Sequence, residues 1–73
     1  MLLQRDLTIA QILDMSLRRE QQAHDFYEGL AAGCSVVCVR ELLDRLRDEE
    51  SKHVSMIQKM QTRLESGKDV LPS

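Results

Sequence analysis

A chain of 73 residues with a net charge of −2 can hold one small domain, and its interspersed charges favour neither nucleic acid nor a membrane surface as the main partner. Its 42% apolar and 30% charged residues are typical of a folded protein and argue against a disordered one. Glycine, proline and aromatic residues are scarce, so a β-rich fold is not expected.

The N-terminal residues show no export signal, and no apolar run approaches the roughly 18 residues that a membrane-spanning helix needs. We therefore expect a cytoplasmic protein. In that compartment Cys34 and Cys38 are expected to be thiols rather than a structural disulfide.

The first predicted helix covers about residues 9–33 and is rich in residues with high helix propensity. Thr8 and Gln11 have the spacing of a capping box, in which each side chain accepts a hydrogen bond from a backbone N–H at the helix start. This pattern predicts that the helix begins directly after Thr8.

A turn is predicted at residues 33–35, because glycine suits a helix C-terminus and Ser35 suits the N-cap of a following helix. The second predicted helix covers about residues 36–66 and ends at Gly67. Residues 67–73 are expected to form a loose tail. The chain is thus predicted to be one all-α domain, residues 1–73, made of two long helices.

Residues at alternating spacings of four and three form a stripe along one face of each predicted helix. The first stripe consists of Ile9, Leu13, Ser16, Glu20, Ala23, Tyr27, Leu30 and Cys34. The second consists of Val39, Leu43, Leu46, Glu50, His53, Ile57, Met60 and Leu64. Three ionisable side chains interrupt these stripes: Glu20, Glu50 and His53. Buried charge is unfavourable without a partner, so a compensating group is expected.

Two long helices joined by a tight turn form an antiparallel hairpin, in which residues equally far from the turn lie at the same height. Glu20 and Glu50 are both about 15 residues from the predicted turn, or roughly 22 Å along the helix axis. His53 lies nearly one turn beyond Glu50 on the same face. We predict that the three side chains converge.

Carboxylate oxygens and a neutral imidazole nitrogen suit iron or manganese. One hairpin supplies three such ligands, which is too few for a two-metal centre. A two-fold dimer supplies four Glu and two His, the ligand set of di-iron carboxylate bundles. The sequence therefore predicts a homodimer or higher homo-oligomer in which hairpins pair into a four-helix bundle.

The aromatic pair Phe26-Tyr27 after Glu20, followed in the next helix by Glu50-Ser-Lys-His53, resembles the rubrerythrin-like branch of the ferritin-like superfamily. A full domain of that branch holds two such hairpins. With one hairpin, this chain is more similar to the two-helix encapsulated-ferritin-like proteins. The resemblance implies that Glu20, Glu50 and His53 are the catalytic metal ligands of a di-iron site shared between two subunits, with manganese as an alternative metal. It also implies that Tyr27 lies beside the metals, behind the ligands.

The same resemblance implies a ferroxidase that oxidises and handles iron, with rubrerythrin-like peroxide reduction as the alternative. No Cys-x-x-Cys pair is present, so the electron-transfer module of full rubrerythrins is missing. Residues 68–73 do not look like a shell-targeting peptide. A location inside a protein nanocompartment, with its shell protein as partner, is one option beside the open cytoplasm.

The stripes alone also support a different class of function, a non-catalytic helical dimerisation or adaptor module whose polar residues fix the register of the helices. In that interpretation Tyr27 is an ordinary core aromatic residue. In the metal-binding interpretation, Ser16 is a candidate acceptor for the distal N–H of His53.

Other candidate ligands lie off the stripes. His24 and Glu49 are expected to be solvated. Cys34 and Cys38 are four residues apart at the turn, where packed thiols, a redox disulfide or a metal clip all fit the spacing, and packed thiols are favoured.

Overall fold

The computed structural model describes residues 7–67, which form two α-helices and no strand. Helix α1 is Ile9–Ala32 and helix α2 is Val37–Glu65. The two helices pack against each other along their length as an antiparallel hairpin. The predicted all-α class is therefore confirmed. The six residues at each end of the chain, including most of the predicted tail, lie outside the described part.

Helix α1 begins with the predicted capping box. The Oγ1 atom of Thr8 accepts a hydrogen bond from the backbone N–H of Gln11 at 3.1 Å. The Gln11 side chain accepts one from the Thr8 backbone N–H at 2.8 Å. Two of the backbone donors that have no partner inside the helix are thereby satisfied, which fixes where α1 starts.

Replacing Thr8 by Ala is expected to lower the free energy of unfolding by about 1 kcal/mol, because the Gln11 N–H loses its acceptor. Urea unfolding followed by circular dichroism measures the change. Thr62→Ala is the matched control, because that hydroxyl only donates to the Gln58 carbonyl within α2. Equal losses in the two variants would contradict the capping role.

The predicted N-cap of the second helix is wrong. Val36, not Ser35, is the N-cap residue of α2, and its side chain makes no capping hydrogen bond. The guanidinium of Arg40 instead donates two hydrogen bonds, at 3.1 and 2.9 Å, to the carbonyl oxygen of Cys34. The Val36 carbonyl accepts from the backbone N–H of Arg40 at 2.9 Å. The segment between the helices is therefore held by the side chain of Arg40, which lies within α2, and not by a serine N-cap at the start of α2.

The end of α2 follows the prediction more closely. Ser66 is the C-cap residue, and Gly67 has a positive φ of 72°, a conformation that glycine adopts without strain. Gly33, at the end of α1, has a right-handed conformation with a φ of −92° and does not use this freedom.

The hairpin buries little by itself. Among residues 7–67 only Ala31, which is 5% exposed, is buried. Half-buried side chains line the contact between the helices: Leu13, Leu17, Leu43, Leu46, Val54 and Ile57. Several apolar stripe residues are exposed instead: Ile9, Leu30, Val39, Met60 and Leu64. Two helices touch along a strip narrower than the predicted stripes, so part of each stripe has no covering layer.

An ion-pair cluster also links the helices near the turn. The Arg47 guanidinium lies 4.0 Å from the Glu28 carboxylate across the hairpin and 3.4 Å from Asp44 on its own helix.

Neither helix of the described part is long and apolar enough to cross a membrane.

Candidate metal centre

Three ionisable side chains meet halfway along the hairpin. The Nδ1 atom of His53 lies 3.4 Å from a carboxylate oxygen of Glu20 and 3.7 Å from one of Glu50. One ligand atom from each of the three residues lies within 4.8 Å of the other two. Helix α1 carries Glu20 near its middle and α2 carries Glu50 near its own, so the hairpin brings together the side chains that the sequence placed at one height.

Burial within the cluster is uneven. The side chain of Glu50 is 17% exposed, that of Glu20 29% and that of His53 46%. The Oε2 atom of Glu50 is buried and has no hydrogen-bond partner. A buried polar atom without a partner is unfavourable, so a group that binds this oxygen would stabilise the cluster.

Glu20 and Glu50 shift each other's pKa in opposite directions. The hydrogen bond between them lowers the pKa of Glu20 below its ordinary value, and His53 lowers it further, although burial opposes the shift. The same hydrogen bond raises the pKa of Glu50, and burial adds to the rise. Two adjacent carboxylates repel each other when both are ionised, so the charged form is favoured at Glu20 and disfavoured at Glu50.

The donor set fits iron or manganese. It consists of two carboxylates and one imidazole, which are ligands that these ions accept, and it contains no thiolate that would favour zinc or copper(I). The partnerless Glu50 oxygen offers one more coordinating atom inside the cluster. Three residues leave most of the coordination sphere of a two-metal centre to be filled from elsewhere.

Comparison with protein families identifies the family to which the chain belongs. The rubrerythrin family profile matches residues 11–73, which include all but the first two residues of α1, the whole of α2 and all three side chains of the cluster. The chain belongs to the rubrerythrin family. Comparison with curated proteins and with solved structures found no significant match. Rubrerythrins typically bind iron, which agrees with the donor set.

In this rubrerythrin-family hairpin, Tyr27 and Ser16 lie half-buried on the side of α1 that faces α2. The Tyr27 ring packs edge-on against Phe26, with ring centres 5.5 Å apart and an angle of 61° between the planes. This contact gives the Tyr27 ring a fixed position without assigning it a part in the chemistry. The position of Tyr27 behind the metal ligands stays a prediction. The hydrogen bond from His53 to Ser16 stays a prediction as well.

A second group of potential ligands was not predicted from the sequence. His24, Asp25 and Glu28 each place a ligand atom within 4.8 Å of the others, and the Nδ1 atom of His24 lies 3.0 Å from the Asp25 carboxylate. The His24 side chain is 28% exposed, so it is less solvated than expected. The sequence feature that could have indicated this group is the spacing of His24 and Glu28, which are four residues, or about one helical turn, apart. Asp25 and Glu28 are 79% and 59% exposed, and exposed acidic groups commonly lie together without a metal.

The remaining candidates are simpler. Glu49 is 56% exposed and pairs with Lys52 at 3.1 Å, as expected of a solvated residue. Cys34 and Cys38 are both free thiols. The Cys34 thiol is half-buried and donates a weak hydrogen bond to the Val36 carbonyl at 3.6 Å, so it packs into the turn.

Proposed function

We propose that two copies of the chain hold a pair of iron ions between them and that this centre oxidises Fe(II) with dioxygen. One observation carries the proposal: the buried, partnerless Glu50 oxygen lies in a cluster with a second carboxylate and an imidazole. The family relationship supports iron as the metal. A polar layer whose only role is to fix the register of the helices does not require a buried oxygen that lacks a hydrogen-bond partner.

Each residue has a distinct part. Glu20 supplies a carboxylate whose lowered pKa favours the charged form that binds a metal. Glu50, whose pKa is raised, would bind in its ionised form and offer both oxygens, including the one without a partner. His53 binds through a ring nitrogen that must be unprotonated, and Nδ1 is the nitrogen beside both carboxylates.

When bound, the iron supplies the electrons that reduce the oxidant. Two Fe(II) ions lose one electron each, and these two electrons with two protons convert one dioxygen into one hydrogen peroxide. With hydrogen peroxide as the oxidant, the same two electrons and two protons give two water molecules. The chain's own contribution is to hold the ions together with negative charge in a partly enclosed position.

Anaerobic Fe(II) titration followed by oxidant is the test. About two iron ions are expected per two chains, and air should then oxidise them faster than it oxidises Fe(II) in buffer. Iron retention is measured by elemental analysis and oxidation by near-ultraviolet absorbance. A parallel reaction with hydrogen peroxide identifies the preferred oxidant, because a peroxide-reducing enzyme reacts with peroxide far faster than with air. A protein that retains no iron refutes the proposal.

A further inference from the structure

A second set of metal-binding side chains lies on helix α1. The imidazole of His24 and the carboxylates of Asp25 and Glu28 each place a ligand atom within 4.8 Å of the other two. Two of these atoms are closer still, because Nδ1 of His24 lies 3.0 Å from Oδ1 of Asp25. The set has no residue in common with the cluster at the middle of the hairpin, so any ion that it binds occupies a separate site.

The geometry of one helix brings these three side chains together. His24 and Glu28 are four residues apart, so they lie one above the other on the same face of α1. Asp25 is three residues before Glu28, so its carboxylate reaches the same face from the side. All three belong to the continuous helix Ile9–Ala32, and their arrangement therefore does not depend on how the two helices pack.

The histidine distinguishes this set from a chance group of surface acids. The His24 side chain is 28% exposed, against 79% for Asp25 and 59% for Glu28, so the imidazole is held against the hairpin while the carboxylates are free to adjust. The ring also lines an open groove of about 390 Å³ between the helices, together with Gln21, Asp25, Ser51 and Val54. A nitrogen ligand in a fixed position beside two adjustable oxygens is suited to binding a cation that arrives from solvent.

We propose that His24, Asp25 and Glu28 form a second metal site, which binds a divalent ion of the first transition series. One imidazole and two carboxylates are three ligands that such ions accept, and water fills the remaining positions. Ligand atoms around a tetrahedral ion of this size lie ~3.3 Å apart, so the set has to close by less than ~2 Å. Exposed carboxylate side chains can make that movement. The site goes beyond the proposed iron centre and does not depend on it.

One positively charged side chain already lies near the set. The Arg47 guanidinium is 4.0 Å from the Glu28 carboxylate, but it is 3.4 Å from Asp44 and 3.0 Å from Asp48. Glu28 is thus the most distant of these three partners, and Arg47 keeps the other two when Glu28 turns towards an ion. Loss of one exposed ion pair has little energetic consequence, so Arg47 does not prevent binding.

The ion is expected to exchange with solvent. The two carboxylates are exposed and all ligands come from one helix, so the ion is not enclosed and the fold does not require it. A bound ion nevertheless links two turns of α1, and by mass action it should stabilise the folded hairpin.

Imidazole NMR of the unaltered, metal-free chain tests the site with Zn(II) as the probe. Zn(II) is diamagnetic and generally binds such ligands more tightly than Mn(II) or Fe(II) does. The chain has two histidines, so the ¹H–¹⁵N spectrum of the rings contains one set of signals for each, and His24→Gln assigns them. The His24 signals should shift and saturate as Zn(II) is added, while His53 reports the other cluster in the same sample. His24 signals that stay unchanged in a large excess of Zn(II) would overturn the proposal.

Two variants and a matched control identify the carboxylate ligands. Asp25→Asn and Glu28→Gln should each weaken Zn(II) binding at His24 by at least ~10-fold, the smallest loss expected even for a partner behind a metal ligand. Asp14→Asn removes a 54% exposed carboxylate from the same helix and should change the affinity by less than ~2-fold.

Equal losses in all three variants would mean that general negative charge attracts the ion, and would overturn the proposal. The outcome is separate from that of the iron centre. A chain that binds Zn(II) at His24 but retains no iron supports this site and refutes only the proposed function.

Discussion

Replacing Glu50 by Gln is expected to weaken Fe(II) binding by more than about 100-fold, beyond the ~10–100-fold cost of losing a group that only orients a metal ligand. The substitution removes a negative charge and leaves a neutral amide in place of the oxygen that has no partner. Gln has nearly the same shape as Glu and its amide N–H₂ can donate a hydrogen bond to the Glu20 carboxylate, so the metal-free hairpin should keep its helical content. Anaerobic Fe(II) titration with elemental analysis measures the affinity, and circular dichroism measures the helix.

The adjacent carboxylate provides the matched control. Glu49→Gln makes the same chemical change one residue earlier, at a side chain that is 56% exposed and paired with Lys52. Its effect on Fe(II) affinity should stay within about three-fold, because loss of an exposed ion pair has little energetic consequence. Equal losses in the two variants would mean that iron binds to the general negative charge of this region. Retention of parent affinity by Glu50→Gln would remove Glu50 from the metal centre.

The convergence of Glu20, Glu50 and His53 could be predicted from sequence because it depends on few quantities. A helix has a fixed rise and a fixed angle per residue, so spacing alone assigns each side chain a face and a height. The centre of the turn needed to be located only to within about one residue. An error of one residue changes the register between the helices by two residues, or ~3 Å, which long carboxylate side chains can accommodate.

Properties that depend on local competition between contacts could not be predicted. Serine is a common N-cap residue, but Ser35 does not cap α2, and two hydrogen bonds from Arg40 to the Cys34 carbonyl hold the segment between the helices. A capping rule considers only residues next to the helix start, so it does not include a side chain six residues from the carbonyl that it binds. The opposite pKa shifts of Glu20 and Glu50 depend on distances of a few ångströms. Spacing assigns only a face, whereas the pKa shifts follow from contact and burial.

The extent of burial was the largest difference between prediction and structure. A stripe of apolar residues indicates a surface that is buried against other residues, but it does not indicate whether those residues belong to the same chain. Leu30 and Met60 belong to the predicted stripes and are 45% and 42% exposed in the hairpin. Stripes of this width are typical of helices in a larger bundle, as the proposed pairing of two copies requires.

Substituting Leu for Glu20, Glu50 and His53 together is expected to abolish iron binding and to stabilise the metal-free protein. The three polar groups lie close together between the helices, where two carboxyl groups repel each other when both are ionised and one Glu50 oxygen has no partner. Apolar side chains at these positions remove that conflict and add apolar contact at the centre of the hairpin. Well-packed hydrophobic replacements of buried ionic groups are often stabilising, so the thermal midpoint should rise by at least ~5 °C.

Thermal unfolding with and without metal distinguishes a functional cluster from a structural one. Mn(II) should raise the midpoint of the parent through mass action and leave the triple variant unchanged. Glu49→Leu is the control, because it also replaces a carboxylate by Leu on α2 but leaves the cluster intact and should keep the response to Mn(II). A triple variant that unfolds at a lower temperature than the metal-free parent would show that the polar cluster stabilises the fold by itself. The cluster would then be a layer that sets helix register, and the case for a metal centre would lose its physical basis, because a stabilising polar layer requires no ion to compensate it.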